Sequence, residues 1–456
     1  MRTVHTTISH RYGSLRWIRF VLQCLRKLFF AVFVVACLLS LYVSLHSFQT
    51  VTSFYTYSNM LPSISLFSGE VGAKSNGTKA QYDSSNSSLN SIQNETLRMK
   101  PILFASKKYG ALLVESIIGV NDDLLRNRME PPIVNGAPKV IWTDVEDLSA
   151  DNLGGCPNWG CIITKDNAIE KADALIIRHR NIKRSNPQQY MVYYSQEAPP
   201  NAFIPTAMEG LNMTLSYRFD SPVASPYGYT VKLAPPSRSR FSYIGKNYLT
   251  SKIQPVAWFV SNCWTNSKRE NLVKDLKEFI SVDIYGQCFN GMICKQYDSC
   301  EAKIYKKYFF YLALENVVCK DYITEKLWDR GLSQVIVPIV LVRKVLQPYA
   351  PPHSFIAFDD FASVEELAAY LKYLIKNTTA YLEYFRWKQN YKVIFLDGIN
   401  HDQMERPWGL CQLCRLLWKS PREVYHLRNF TQWWSYSCND WYRRSQLMEL
   451  SSQKIT

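Results

Sequence analysis

The chain has no Asp-x-Asp, and its two carboxylate pairs, Asp122-Asp123 and Asp359-Asp360, are adjacent, so on a strand their side chains would point to opposite faces. A metal-diphosphate site built from two spaced aspartates is therefore not expected. Cys411-Gln-Leu-Cys414 has no second Cys-x-x-Cys and no histidine pair at ligand spacing beside it, which makes disulfides a better use of these cysteines than zinc. No basic-aromatic nucleic-acid module is present. The net charge of +15 is spread along the chain and is equally well explained by a basic cleft for a small anion. There is no internal repeat, so a solenoid is not indicated. At 456 residues and 47% hydrophobic content the chain is too apolar for wholesale disorder and long enough for two domains plus extra segments.

Acidic residues are absent from residues 1–27, which carry Arg2, Arg11, Arg16, Arg19, Arg26 and Lys27, and residues 28–45 form an uncharged, almost wholly apolar run. This pattern predicts a cytosolic tail (1–27) and a transmembrane signal anchor (28–48), single-pass and type II, by the positive-inside rule. The competing reading is a cleaved signal peptide. It would need a shorter apolar core and a small-x-small cleavage site, for which Ser44-Leu45-His46 is a poor match. Residues 49–132 are rich in Ser, Thr, Asn and Tyr and read as a stem, with enough apolar residues over 102–118 for some local structure. The rest is then lumenal. Its ten cysteines are an even set that permits full pairing, with the connectivity left open. Asn-x-Ser/Thr acceptor sites stand at Asn76, Asn86, Asn94, Asn212, Asn377 and Asn429.

Short apolar runs at 139–142, 174–178, 191–194, 256–260, 282–285, 308–314, 335–342 and 354–358 read as buried parallel strands. Helical patterns lie between them at 267–280 and 363–376, the second opening with the capping box Ser363-x-x-Glu366. The alternation predicts an α/β fold with two Rossmann-like domains facing across a cleft. The Pro- and Ser-rich stretch 233–242 marks the boundary, giving domains at 133–240 and 241–420 and a C-terminal tail at 421–456.

The central stretch, 308–341, reads as strand, turn, helix, strand, with Asp321 as a helix cap and the free N–H groups of the helix facing the carboxyl edge of the sheet. Its like-charged pairs at i, i+4, Asp321 and Glu325, Glu325 and Asp329, Lys326 and Arg330, disfavour a merely solvated helix. A phosphate-bearing ligand would give these charges a use. Arg269 and Lys326 are candidate cations to neutralise a phosphate leaving group, though Arg269 also suits an exposed helix position. Glu197, just past a strand end in Ser195-Gln196-Glu197-Ala198-Pro199, is a candidate general base, and His179 in Arg178-His179-Arg180 competes with it.

The run from Tyr308 through Glu315-Asn316, with Asp321-Tyr-Ile-Thr-Glu-Lys-Leu-Trp328 and Val337-Pro338, resembles the signature of the GDP-fucose-dependent α1,3-fucosyltransferases, glycosyltransferase family 10. Other stretches match in family order: Ala172-Asp-Ala, Leu215-Ser-Tyr-Arg-Phe-Asp-Ser221 with Pro226-Tyr-Gly228, Val260-Ser-Asn-Cys263 through Arg269, Val282-Asp-Ile-Tyr-Gly286-Gln-Cys288, Ser354 through Phe361, and Cys411-x-x-Cys414. The resemblance implies a GT-B fold with acceptor on the first domain and GDP-fucose on the second. It implies inverting transfer of L-fucose, in α1,3 linkage, to GlcNAc of glycoprotein or glycolipid glycans at the Golgi membrane. By motif, Glu197 is the base, Arg269 and Lys326 balance the diphosphate, and Asn316, Tyr322 and Glu325 hold the nucleotide and fucose. No cofactor is required on this reading, and stimulation by a divalent cation is left open. Valine stands at 335 and 342 where the family has glycine, and at 317 where it has a small polar residue. These departures are the basis for the alternative, a catalytically silent lumenal glycan- or nucleotide-binding protein of the same fold.

Overall fold

The apolar runs assemble into two all-parallel sheets. The first contains β3 (Lys139–Thr143), β4 (Cys161–Thr164), β5 (Ala174–Ile177), β6 (Tyr190–Ser195) and β7 (Met213–Ser216), in the order β4-β3-β5-β6-β7. The second contains β9 (Gln254–Phe259), β10 (Val282–Tyr285), β11 (Tyr308–Leu312), β12 (Val337–Val340) and β13 (Ile356–Ala357), in the order β10-β9-β11-β12-β13. Ala174 to Ile177 and Tyr308 to Leu312 are buried throughout, as continuous apolar strands covered on both faces must be. The computed structural model describes residues 100–166, 169–204, 210–239, 244, 246–294 and 299–438. The expected tail and anchor, and the acceptor sites at Asn76, Asn86 and Asn94, lie outside the described residues. Among the described residues no helix is long and apolar enough to cross a membrane.

A third sheet was not anticipated. The strands β1 (Ile102–Ser106) and β2 (Gly110–Ile117) pair antiparallel and continue through β8 (Gly228–Leu233) to β14 (Tyr391–Phe395). The fold therefore begins inside the segment read as stem, with helix α1 (Asp122–Met129) capped by Asn121. Phe104, Val114, Tyr229 and Ile394 pack together as its core. Gly228 has no room for a side chain, since a Cβ would lie 2.6 Å from the Ile394 carbonyl oxygen and 2.7 Å from the Trp328 ring.

The C-terminal part of the expected second domain and tail also returns to the first sheet. The helix Gly409–Leu417 packs Leu410, Leu413 and Leu416 with Ile141, Val192 and Leu215. Two disulfides, Cys156–Cys411 and Cys161–Cys414, fasten it there. The cysteines of the Cys-x-x-Cys are thus separate half-cystines. Cys263–Cys288, Cys294–Cys300 and Cys319–Cys438 complete the pairing of all ten described cysteines.

The helix Val364–Lys376 forms as its sequence predicts, with the Ser363 hydroxyl accepting the Glu366 N–H at 3.1 Å. The helix expected over 321–330 differs. Asp321 adopts a left-handed φ of 63° and does not cap; its carboxylate accepts from Phe219 N–H at 3.2 Å and from the Tyr349 hydroxyl at 2.8 Å. Thr324 caps instead, and after Glu325–Leu327 the chain widens into a π-turn at Trp328–Leu332. A regular helix would have stacked the like charges four residues apart. The wider turn sends Arg330 to Glu301 at 3.4 Å.

Valine at 342 has an extended backbone (φ −130°, ψ 117°) and is buried, and Val335 is half-buried against the core outside the left-handed region. Neither position makes a conformational demand that only glycine meets.

Candidate active site

The site lies where the carboxyl ends of the two parallel sheets meet. Glu197 follows β6 and is exposed; the Ser195 hydroxyl, accepting its backbone N–H at 3.2 Å, shapes the turn, and Pro199 and Pro200 stiffen the backbone beyond it. The Glu197 carboxylate accepts a 3.0 Å hydrogen bond from the hydroxyl of Tyr322, which comes from the turn after β11. Burial raises the Tyr322 pKa far above its ordinary value, and the nearby Glu315 adds to the effect, so the phenol stays protonated and donates. Tyr217 packs edge-on against Tyr322 at 4.9 Å between ring centroids.

The Thr324 cap orders the charges beside it. Glu315 accepts from the Thr324 N–H at 2.8 Å and from its hydroxyl at 2.9 Å. The Lys326 ammonium lies 3.0 Å from Glu325 and 3.3 Å from Glu315, and donates to the Thr324 hydroxyl at 2.9 Å. Burial would depress the Lys326 pKa, but Glu315 and Glu325 outweigh it and hold the value above normal. The same set of contacts splits the carboxyls. Burial pushes Glu315 up despite Lys326, whereas in Glu325 the attraction of Lys326 overcomes burial and draws the pKa down. A lysine held between two carboxylates stays charged, and the cluster has one cation for two carboxyl groups.

Arg269 reaches the backbone at Leu314, two residues before Asn316, just past the carboxyl end of β11. Arg269 is buried at 2% exposure, with its guanidinium on the Leu314 carbonyl and, at 3.1 Å, on that of Asn262. The exposed helix position that the sequence equally suited is therefore not where it lies. Among the described residues its Nε has no hydrogen-bond partner, nor does the buried amide oxygen of Asn316, while the Asn316 carbonyl accepts Ser267 N–H at 3.0 Å. Unpaired buried polar atoms are uncommon and mark places where a ligand can complete the bonding. His179 belongs to another loop, with its ring against Phe203 and its N–H on Asp144 at 3.2 Å.

Charges also tie the two sheets together beside the site. Asp220 bridges Arg218 at 2.6 Å and Lys320 at 2.9 Å, and Phe219 stacks on Tyr349 at 4.1 Å. Burial opposes the ionisation of Asp220, yet Arg218 and Lys320 bring its pKa below normal. Arg218 covers Trp433 at 3.8 Å, and the Cys319–Cys438 disulfide holds that C-terminal segment to the turn.

Thr324, Glu315 and Asp220 were not singled out as functional in the sequence. Thr324 and Asp321 are both capping residues placed three apart, and only the backbone angle separates them. Asn212, expected as a glycosylation acceptor, is buried: its amide accepts the Met191 N–H and donates to the Tyr425 carbonyl, both at 2.7 Å, and so is occupied within the fold. Asn377 caps a helix and is half-buried, and Asn429 is exposed.

Two family descriptions match in tandem. Residues 138–228 match "Fucosyltransferase, N-terminal" and residues 249–433 match "Glycosyltransferase family 10 (fucosyltransferase) C-term". The chain is 46% identical over 329 residues to "Alpha-(1,3)-fucosyltransferase fut-1" of Caenorhabditis elegans, covering 71% of this chain and 76% of that protein. It is 31% identical over 363 residues to "Alpha-(1,3)-fucosyltransferase C" of Drosophila melanogaster, covering 69% and 82%. A crystal structure of an "alpha1,3-Fucosyltransferase with GDP-fucose" aligns over 67% of this chain and 98% of that one, at 17% identity and a TM-score of 0.39. The chain belongs to glycosyltransferase family 10, the fucosyltransferases. Membership favours the enzyme over the silent binding protein.

Proposed function

We infer that the protein is an inverting α1,3-fucosyltransferase that moves L-fucose from GDP-fucose to a GlcNAc hydroxyl of a glycoprotein or glycolipid glycan. The observation that carries the residue assignment is the Glu197–Tyr322 hydrogen bond, which joins an exposed carboxylate on the first sheet to the charged cassette of the second. Glu197 takes the proton of the acceptor hydroxyl as that oxygen attacks the anomeric carbon. The bond from that carbon to the diphosphate breaks, and the departing charge falls near Lys326, with the buried Arg269 adding positive potential from behind. Asn316, Tyr322 and Glu325 position the nucleotide and the fucose. The fucosyl group carries positive charge as it transfers, so carboxylates on the acceptor side and cations on the leaving-group side suit the reaction.

The two sheets then act as the halves of a GT-B enzyme, acceptor on the first and donor on the second. Lys326 and Arg269 supply the leaving-group charge from the chain itself, so turnover requires no metal. The protein works in the Golgi membrane as a type II protein with its head lumenal; the basic tail and apolar run support this placement, and five disulfides suit an oxidising compartment. The test is transfer of labelled fucose by the detergent-solubilised full chain. Glu197→Gln should lower kcat by roughly 100- to 10,000-fold with GDP binding intact. Wild-type kcat in that variant would remove Glu197 from the role.

A further inference from the structure

Beside Glu197 a cavity of about 400 Å³ opens between the first sheet and the segment after β14. None of the site residues assigned above except Glu325 reaches it, and its volume is within the range of small-molecule sites. Tyr194, Tyr227 and Trp408 give it aromatic walls, while Gln196, Asn152 and Ser225 add amide and hydroxyl groups. Glu325, Asp397 and Glu405 bring three carboxylates, and among the described residues its lining contains neither lysine nor arginine.

Arg178 lies over the Tyr194 ring at 5.9 Å and Arg128 over the Trp408 ring at 5.4 Å, and the cations beside the lining carboxylates are paired. Lys326 is on Glu325 at 3.0 Å and Lys108 on Asp397 at 3.1 Å. His401 also lines the cavity, but its Nδ1 faces Glu405 at 2.8 Å and its Nε2 faces the Asn152 amide nitrogen at 3.3 Å, so both ring nitrogens are in use. Aromatic faces with carboxylate and amide acceptors suit the C–H faces and hydroxyl donors of an uncharged sugar. A carboxylate or sulfate group placed there would be desolvated beside three carboxylates with no lysine or arginine in the described lining to meet it, an unfavourable exchange.

We propose that this cavity holds an uncharged sugar unit of the acceptor and discriminates against acceptors that carry an anionic group on it. The inference rests on the fucosyltransferase reading and adds to it the charge class of the acceptor. Gln196 is the residue best placed to test it. It lines the cavity, and the bond that orders its loop, from the Tyr227 hydroxyl at 2.8 Å, is accepted by the Gln196 backbone carbonyl and survives substitution.

The experiment compares kcat/KM of the full chain on two matched pairs: N-acetyllactosamine against its sialylated form, and a trimannosyl-chitobiose glycopeptide against its sulfated form. Wild type should favour the neutral member of whichever pair it uses by about tenfold or more, the equivalent of about 1.4 kcal/mol. Gln196→Arg should narrow that preference, and Ser225→Phe, which fills the cavity, should raise the acceptor KM while leaving the GDP-fucose KM unchanged. Melting temperatures of both variants near wild type confirm that they are folded. Equal use of neutral and anionic acceptors by wild type overturns the proposal. So does a neutral preference that neither variant alters, because the acceptor then lies elsewhere. No transfer to any acceptor would count against the fucosyltransferase reading itself and, with it, against this proposal.

Discussion

The two parallel sheets have the same strand count, yet the surroundings of their candidate site residues differ. The first is fastened to the C-terminal helix by Cys156–Cys411 and Cys161–Cys414 around an apolar interface, and its candidate base, Glu197, is exposed. The second keeps its candidate donor-site residues, Lys326 with Glu315 and Glu325, mostly out of water and pairs the one lysine with both carboxyl groups. A proton acceptor must be reached by a glycan, so its surroundings stay open. A site for a diphosphate gains from excluding water, because charge interactions are stronger there. That gain obliges the protein to compensate the cluster internally while it is empty.

The comparison can be broken most strongly in the second region. Lys326→Met leaves Glu315 and Glu325 without their cation and should cost about 3–5 kcal/mol, read as a lower urea midpoint at neutral pH. The deficit should shrink as pH falls and the stranded carboxyls protonate. In the first region the matching lesion is covalent: Cys161→Ser with Cys414→Ser should cost about 2–4 kcal/mol by the same measurement, with little dependence on pH. If the two lesions respond alike to pH, the contrast between the two regions fails.

Smaller effects test the contact between the regions. Tyr322→Phe removes the hydroxyl that Glu197 accepts and should cost about 1 kcal/mol of stability, with a larger effect on kcat than on the acceptor KM. The smallest effect is expected at His401, whose pKa is raised chiefly by its hydrogen bond to Glu405. A raised folded-state pKa contributes stability that is complete below the ordinary histidine value near 6.5 and is lost as pH rises through the folded value. Melting temperature should therefore decline across that interval in the wild type and decline less in His401→Gln.

Much of the frame was legible in advance because parallel strands buried on both faces leave continuous apolar runs. The runs at 139–142, 174–178, 191–194, 256–260 and 282–285 all became strands within a residue or two of their expected ends. The antiparallel sheet was not legible. Its strands β1 and β2 fall in the apolar stretch 102–118, where the sequence indicated only some local structure within a stem, and β14 reaches it from more than 150 residues beyond β8. The helix after Asp321 was misjudged because propensity weighs residues singly, while the backbone turned on what the Asp321 carboxylate could reach in Phe219 and Tyr349.

Sequence by itself determined the layered α/β class, the charged cassette and the identity of the residues offered for chemistry, since these depend on local pattern and residue type. Tertiary structure alone decided which residues meet. The Tyr322 hydroxyl and the Glu197 carboxylate are 125 positions apart, the ten cysteines admit many pairings, and Asn212 carries a glycosylation motif at a buried position. Each of these outcomes depends on how the sheets close on one another, and chain closure over long separations is governed by packing of the whole core, which no local window contains.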